Sequence, residues 1–307
     1  MLLLSVIVTI TDGENHLDRC LEALAGQVGA PPVEILVPVY AGIEDVPSLR
    51  RRWPQVKFVE VEGHPPLARS LAHWLYDRRR AAGLSAASGD LIAITEDHAI
   101  PGPEWCAAIA RLHEAPYAVI GGAIEHGGRG LLNWAAYFCD FGRYHKPFPA
   151  HAAGYVSDIN VSYKREALLA CASVWRDYYH ETAVHHALRA AGHTLWLTPE
   201  LSLLHDRGRL PLGPLLAERF YWARVFAGRR ARAMTPAQRA LYALLSPALP
   251  LLLLARKFRE ASRGGSYTLP YLRALPAMLL LLSVWSCGEL TGYWTGRSFP
   301  SDPEGGA

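Results

Sequence analysis

The stretch Asp90-Leu91-Ile92-Ala93-Ile94-Thr95-Glu96-Asp97-His98, followed by Ala99-Ile100-Pro101-Gly102-Pro103, decides how this chain is read. Its short apolar run suits a strand buried on both faces. The run ends in two carboxylates and an imidazole, which are costly to bury unless solvated or bound to something. In open α/β sheets ligands bind beyond the carboxyl ends of the strands, so these three polar groups come first as site candidates.

Working outward, Val6 to Ile10 forms a β-branched run stopped by Asp12 and Gly13. The first ten residues lack the basic segment and small-residue cleavage site of a signal peptide and read as a buried strand. Leu17, Leu21 and Leu24 recur at helical spacing up to Gly26, and Val33 to Val39 gives a second strand. Val56 to Val61 gives a third, and Leu67, Leu71, Trp74 and Leu75 mark a helix face before the Asp90 stretch. Strands alternating with helices predict an α/β domain with a mainly parallel sheet and helices on both faces. Farther on, Ala118 to Ile124 reads as a strand, Gly121 to Gly130 as a glycine-bearing loop and Asn160 to Tyr163 as a short strand. A helix from Glu181 to Ala191 stops at Gly192, and Thr194 to Leu197 with Leu201 to Leu204 lead to His205.

The chain has 307 residues, 50% of them apolar and 19% charged, which excludes disorder and a collagen-like repeat. A net charge of +3 is too small for a nucleic-acid coat, so no nucleic-acid partner is expected. The five cysteines are odd in number, widely spaced and free of C-x-x-C, which predicts neither a disulfide framework nor a zinc knuckle and fits a reducing compartment.

Beyond Arg207 the composition changes. Eight arginines stand against one acid, Glu218, between Arg207 and Arg239. Two apolar stretches follow, Leu241 to Leu254 and Ala274 to Cys287, each of 14 residues and interrupted by Pro247, Pro250 and Pro276. A span needs about 20 apolar residues, and basic residues flank both stretches, so a re-entrant or in-plane hairpin on the cytoplasmic face of the membrane is expected. The expected organisation is a catalytic domain over 1–206, a basic amphipathic helix region over 207–240, a hydrophobic helical hairpin over 241–296 and a disordered tail over 297–307.

The motifs of the first 206 residues fall in a recognisable order. Ser5-Val6-Ile7-Val8-Thr9 is an opening strand. Arg80-Ala81-Ala82-Gly83 and Ala87-Ser88-Gly89-Asp90 match R-N-x-G and A-x-G-D, and Glu96-Asp97-His98 stands where D-x-D belongs. Gly154 to Asn160, with Lys164-Arg165-Glu166 behind it, is similar to an acceptor-side segment, and His180-Glu181 occupies the place of an E-D pair. In this order the chain resembles the family 2 glycosyltransferases of the GT-A fold over roughly residues 3 to 206. The resemblance implies transfer of a sugar from a nucleotide-sugar donor to a glycan or lipid-linked acceptor, with inversion and with Mn²⁺ or Mg²⁺ as cofactor. It implies Asp97, His98 and His205 as metal ligands, and Thr9, Arg80, Asp90, Glu96 and Asp97 on the donor. Asp158, Asn160 and His180 fall on the acceptor side, and Glu181 becomes the general base. A divalent cation neutralises charge on the leaving diphosphate, and the carboxylate takes the acceptor's proton.

The sequence also departs from the family. Val37-Pro38-Val39-Tyr40-Ala41-Gly42 replaces the acidic turn that reads the nucleotide base, Ala81 replaces the asparagine of R-N-x-G, and Glu181 stands for an aspartate. These departures motivate a second reading, a catalytically degenerate glycosyltransferase-like module at a membrane. A third reading, a zinc hydrolase, starts from His180-Glu181-Thr182-Ala183-Val184-His185, but its histidines are five apart, about 140° around a helix, rather than four.

Overall fold

The structure is a computed structural model and describes residues 2–11, 16–62 and 72–298. The Asp12-Gly13 stop, Leu67, Leu71 and the tail from residue 299 onward lie outside the described residues. The chain divides into two units, residues 1–127 with 144–206, and residues 128–143 with 207–307.

In the first unit the elements follow as β1 (Leu4–Thr9), α1 (Leu17–Ala25), β2 (Val33–Val39), α2 (Val46–Arg52), β3 (Lys57–Glu60) and α3 (Ala72–Ala86). Next come β4 (Leu91–Glu96), β5 (Ala99–Pro101), α4 (Trp105–Leu112) and β6 (Val119–His126). In the second unit lies α5 (Leu131–Asp140), and the chain returns to the first for β7 (His151–Ala153), β8 (Val161–Lys164), α6 (Arg165–Ala170), α7 (Ala172–Trp175), α8 (Glu181–Ala190) and β9 (Leu195–His205). One nine-stranded sheet runs β3-β2-β1-β4-β8-β6-β9-β5, with β7 on β9.

The parallel pattern expected from the sequence holds for β3-β2-β1-β4 and again for β6-β9, whereas β8 runs antiparallel to both β4 and β6, and β5 and β7 run antiparallel to β9. The class is α/β with a mixed sheet. All six residues of β1 are buried, as a strand covered on both faces requires. Leu17, Leu21 and Leu24 of α1 join Val6, Val8, Val37 and Ala93 of the sheet and Trp105 and Ile109 of α4 in one core. Strand order reverses at β1, with β2 on one side and β4 on the other, and Thr9 pairs with Glu96 at the carboxyl ends. In open α/β sheets ligands bind at such a switch point, beyond the carboxyl ends of the strands.

Two local expectations are corrected. Gly121 and Gly122 belong to β6 rather than to a loop. A Cβ on Gly122 would stand 2.1 Å from the Leu201 carbonyl oxygen and 2.3 Å from Asn160 Nδ2, so the glycine is there for close packing. The two apolar runs before His205 are one strand, β9, whose register shifts beside Gly122/Ala123. Residues 128–143, expected within a 1–206 domain, belong to the other unit.

The second unit adds α9 (Leu212–Ala231), α10 (Pro236–Leu245), α11 (Leu249–Ala261) and α12 (Thr268–Thr295). The expected boundary at 241 falls inside α10. The two apolar stretches lie within Pro236–Ala261 and α12, 26 and 28 residues long, which have the length and apolar composition needed to cross a membrane. Pro250 sits in the first turn of α11, and Pro276 is carried inside α12. Along α12, Gly288 and Gly292 admit the α9 backbone: a Cβ on Gly288 would stand 2.3 Å from the Phe220 carbonyl oxygen.

Candidate active site

The chain leaves β4 at Glu96, turns through Asp97 and His98, and enters β5, where Ala99 pairs with His205 at the end of β9. This turn brings the side chains of Glu96, His98 and His205 together. One ligand atom from each lies within 4.8 Å of the others, and all three residues are buried. His205 Nε2 is 2.6 Å from Glu96 Oε1, and His98 Nδ1 is 3.9 Å from the same oxygen. Burial pushes the Glu96 carboxyl up, but the hydrogen bond and charge of His205, the charge of His98 and the Tyr76 hydroxyl outweigh it and hold the group well below the usual carboxylate range. His16 packs against His98 at 4.5 Å between ring centroids with the rings tilted by 55°, and His126, in register with His205, is pushed down to about 4 by burial and by the His205 charge.

Asp97, expected among the metal ligands, accepts at Oδ1 from the Thr11 backbone N–H at 3.2 Å and from the Thr11 hydroxyl, with the same oxygen 3.6 Å from His98 Nδ1. Glu96, expected on the donor, also lies beside the two histidines.

A second group of side chains lies next to the first. Tyr76 and Arg80, one helical turn apart on α3, share a face. The Tyr76 hydroxyl donates to Glu96 Oε2 at 2.6 Å, and Arg80 donates to the Tyr76 oxygen and to Asp158. The Arg80 side chain is 0% exposed and meets these groups from within the protein. Asp158 keeps 18% of its side-chain surface. Burial first, then the charges of Glu181 and Glu96, raise its carboxyl to about 6 against the opposing pull of Arg80. Glu181, at the first position of α8, is 15% exposed and accepts a hydrogen bond from the Tyr155 hydroxyl at 3.0 Å. His180 Nδ1 lies 3.9 Å from Glu181 Oε2 and 2.7 Å from the Thr182 hydroxyl.

Three further expectations find different settings. Thr9 is fully buried beside Glu96 in the sheet. Asp90 stands before β4, about 20 Å from Glu96 at roughly 3.3 Å per strand residue, where it accepts from the Leu3 N–H. Asn160 is fully buried, donating to the carbonyls of Ala123 and Leu201 and accepting from Trp105 Nε1. Asp90 and Asn160 thus meet backbone and indole groups of the strands and helix around them. Tyr76, Thr11, His16 and Tyr155 were not singled out from the sequence. Only Tyr76 had a readable signal, its four-residue spacing from Arg80. A cavity of about 550 Å³ lined by Val61, Arg78, Ala82 and Tyr178 faces the side of α3 opposite Tyr76 and Arg80 and lies apart from this chemistry.

No family model matches the chain, and no curated protein matches it. Among solved structures it is similar to the crystal structure of GalNAc-T7 with UDP, GalNAc and Mn²⁺, at 13% identity and a TM-score of 0.45, covering 67% of this chain and 44% of that one. The chain therefore spans less than half the length of that protein.

Proposed function

We propose that this chain is a GT-A glycosyltransferase of the family 2 type, moving a sugar from a nucleotide-sugar donor to a glycan or lipid-linked acceptor with inversion. The observation that carries the reading is the convergence of Glu96, His98 and His205 outside the carboxyl ends of β1 and β4, with two partly exposed carboxylates, Asp158 and Glu181, in the adjoining cluster. One carboxylate and two imidazoles suit a divalent transition metal better than Mg²⁺, which prefers oxygen ligands, so Glu96, His98 and His205 are the proposed ligands and Mn²⁺ the proposed ion. When bound, such an ion neutralises charge on the leaving diphosphate.

Glu181 acts as the base. The acceptor hydroxyl attacks the anomeric carbon, its proton passes to the Glu181 carboxylate, and the bond from that carbon to the diphosphate oxygen breaks with its electron pair staying on the phosphate. Asp158, His180 and the β7–β8 segment form the acceptor side, and Arg80, through Tyr76 and Asp158, fixes the distance between the two halves of the site. Screening purified protein against nucleotide sugars with Mn²⁺ and candidate acceptors, reading nucleotide release, tests the reading. Silence across a broad panel favours the degenerate membrane module, and Glu181→Gln is expected to slow transfer about 10²- to 10⁴-fold.

The second unit is proposed to lie in the plane of the cytoplasmic face, where nucleotide sugars are available. Helices 236–261 and α12 have the length and composition of spans. The far half of α12, however, packs through Gly288 and Gly292 on α9, which carries Arg219, Arg224, Arg229 and Arg230. Drawing that pair through hydrocarbon would take four arginines with it, at a cost of about 2.5 kcal/mol or more for each one at the bilayer centre. Leu244, Leu251, Leu252 and Trp294 are exposed and give the unit an apolar surface for lipid. A Ser262→Cys label in otherwise cysteine-free protein should react only from the cytoplasmic side, and labelling from outside intact cells would overturn this placement.

A further inference from the structure

Glu181 begins a helix, and a carboxylate at that position is free to choose among rotamers unless something fixes it. The surroundings of α8 supply a fixing set. Tyr163 on β8, Tyr179 before α8 and His185 on its second turn are 0%, 0% and 1% exposed. Their polar atoms form a chain, with Tyr163 Oη 2.6 Å from Tyr179 Oη and 2.9 Å from His185 Nε2. Burial pushes His185 down to about 4, against the pull of Glu181, so it is a neutral ring at neutral pH. The edge of that ring meets Tyr155 at 5.4 Å between centroids and an interplanar angle of 74°. Tyr155 in turn donates its hydroxyl to Glu181 Oε1. The anchor therefore runs from the buried sheet through His185 to a tyrosine whose outer end holds one oxygen of the carboxylate.

We propose that Tyr155 is the positioning residue for Glu181, holding the carboxylate by Oε1 in the orientation from which it takes the acceptor's proton, with His185 as the buried stop that holds the Tyr155 ring. The assignment rests on Glu181 being the base. It accounts for a tyrosine in the β7–β8 segment and a histidine inside α8, neither of which has a part in metal binding. The charged and titratable groups around Glu181 are Arg80 on α3, Asp158 before β8, His180 beside it, His185 on α8 and Tyr163 on β8. Tyr155→Phe leaves all of these in place.

A hydroxyl that donates to a carboxylate favours its charged form, so removing it raises the carboxyl's titration midpoint. In protein labelled with ¹³C at glutamate side-chain carboxyls, with the Glu181 signal assigned by its loss in Glu181→Gln, Tyr155→Phe should move the Glu181 midpoint up by about half a pH unit or more at unchanged melting temperature. In nucleotide-release assays the same variant should lower kcat about tenfold with donor KM unchanged. Added to Glu181→Gln, it should cost nothing further, because both act on one group. An unmoved Glu181 midpoint, or multiplicative loss in the double variant, overturns the positioning role. If the midpoint moves but Glu181→Gln transfers sugar at the full rate, the base assignment fails while the contact stands. His185→Ala should reproduce a weaker version of the Tyr155→Phe shift, and a null effect there removes His185 from the proposal.

Discussion

In the C-terminal unit Arg219 faces Asp140 with both terminal nitrogens, one of them at 2.6 Å, and reaches Glu218 at 3.2 Å, while Arg207 takes both oxygens of Glu218. In the N-terminal unit Glu96 meets two imidazoles, and the atoms that converge are all able to donate a lone pair to a metal. The first cluster closes on itself, since the guanidinium of each arginine matches the fork of a carboxylate. Inside the second, the triad's carboxylate meets His205 rather than a guanidinium, an arrangement that could hold a cation. Buried charge alone therefore does not single out a candidate site; the sign and direction of the groups do.

The comparison breaks most readily on metal removal. Chelation should reduce nucleotide release by about 10³-fold, the scale of several kcal/mol of charge stabilisation, with Mn²⁺ restoring more activity than Mg²⁺. His205→Ala should lower Mn²⁺ affinity in calorimetry without unfolding the protein. If it leaves Mn²⁺ binding intact, the triad is not the metal site.

Arg219→Ala should act in the opposite sense, destabilising the fold by about 3–5 kcal/mol through the carboxylates it leaves behind, with Mn²⁺ affinity unchanged. Denaturant melts and metal titration on the same variant separate the two effects. A variant as stable as the parent would mean that the Arg219 cluster is open to solvent.

Packing in the second unit is a smaller test. Gly288→Val places its Cβ against the α9 backbone and should cost about 1–3 kcal/mol as the helices shift apart. The same contact bears on the removal of residues 240–300. Because α9 and α5 pack on α12, that deletion strips both helices of their partner, and the product should aggregate in size-exclusion runs.

The smallest effect concerns pH. Asp158, raised to about 6 beside Glu181, takes up its proton as pH drops through about 6 and removes a negative charge from beside the base, so activity should fall over that range. Asp158→Asn removes the like charge and should move this acid limb of kcat/KM to lower pH. A loss of transfer of about 10²-fold or more in Asp158→Asn would mean that Asp158 supplies the base.

Much of the molecule was legible because local chemistry decided it. Buried parallel strands are continuous apolar runs, so β1, β2 and β4 stand out, and α8 is bounded by an acid at its first turn and by Gly192 at φ +87°. The polar triplet after β4 was visible for the same reason, as charge at the end of a buried strand. Only the tertiary structure decided which atoms converge. The turn after β4 gives Glu96 and His98 to His205, more than a hundred residues away, and turns Asp97 to Thr11. Arg80 and Asp90 belong to motifs that read alike in sequence, yet one lies buried between two carboxylates and the other ties down the far end of a strand. Residues 128–143 join the C-terminal helices by packing across about 70 positions of sequence or more, a contact that no periodicity within the segment encodes. Periodicity and caps are fixed by neighbours in the chain, whereas convergence, desolvation and hydrogen-bond partnership depend on distances that exist only once the sheet has formed.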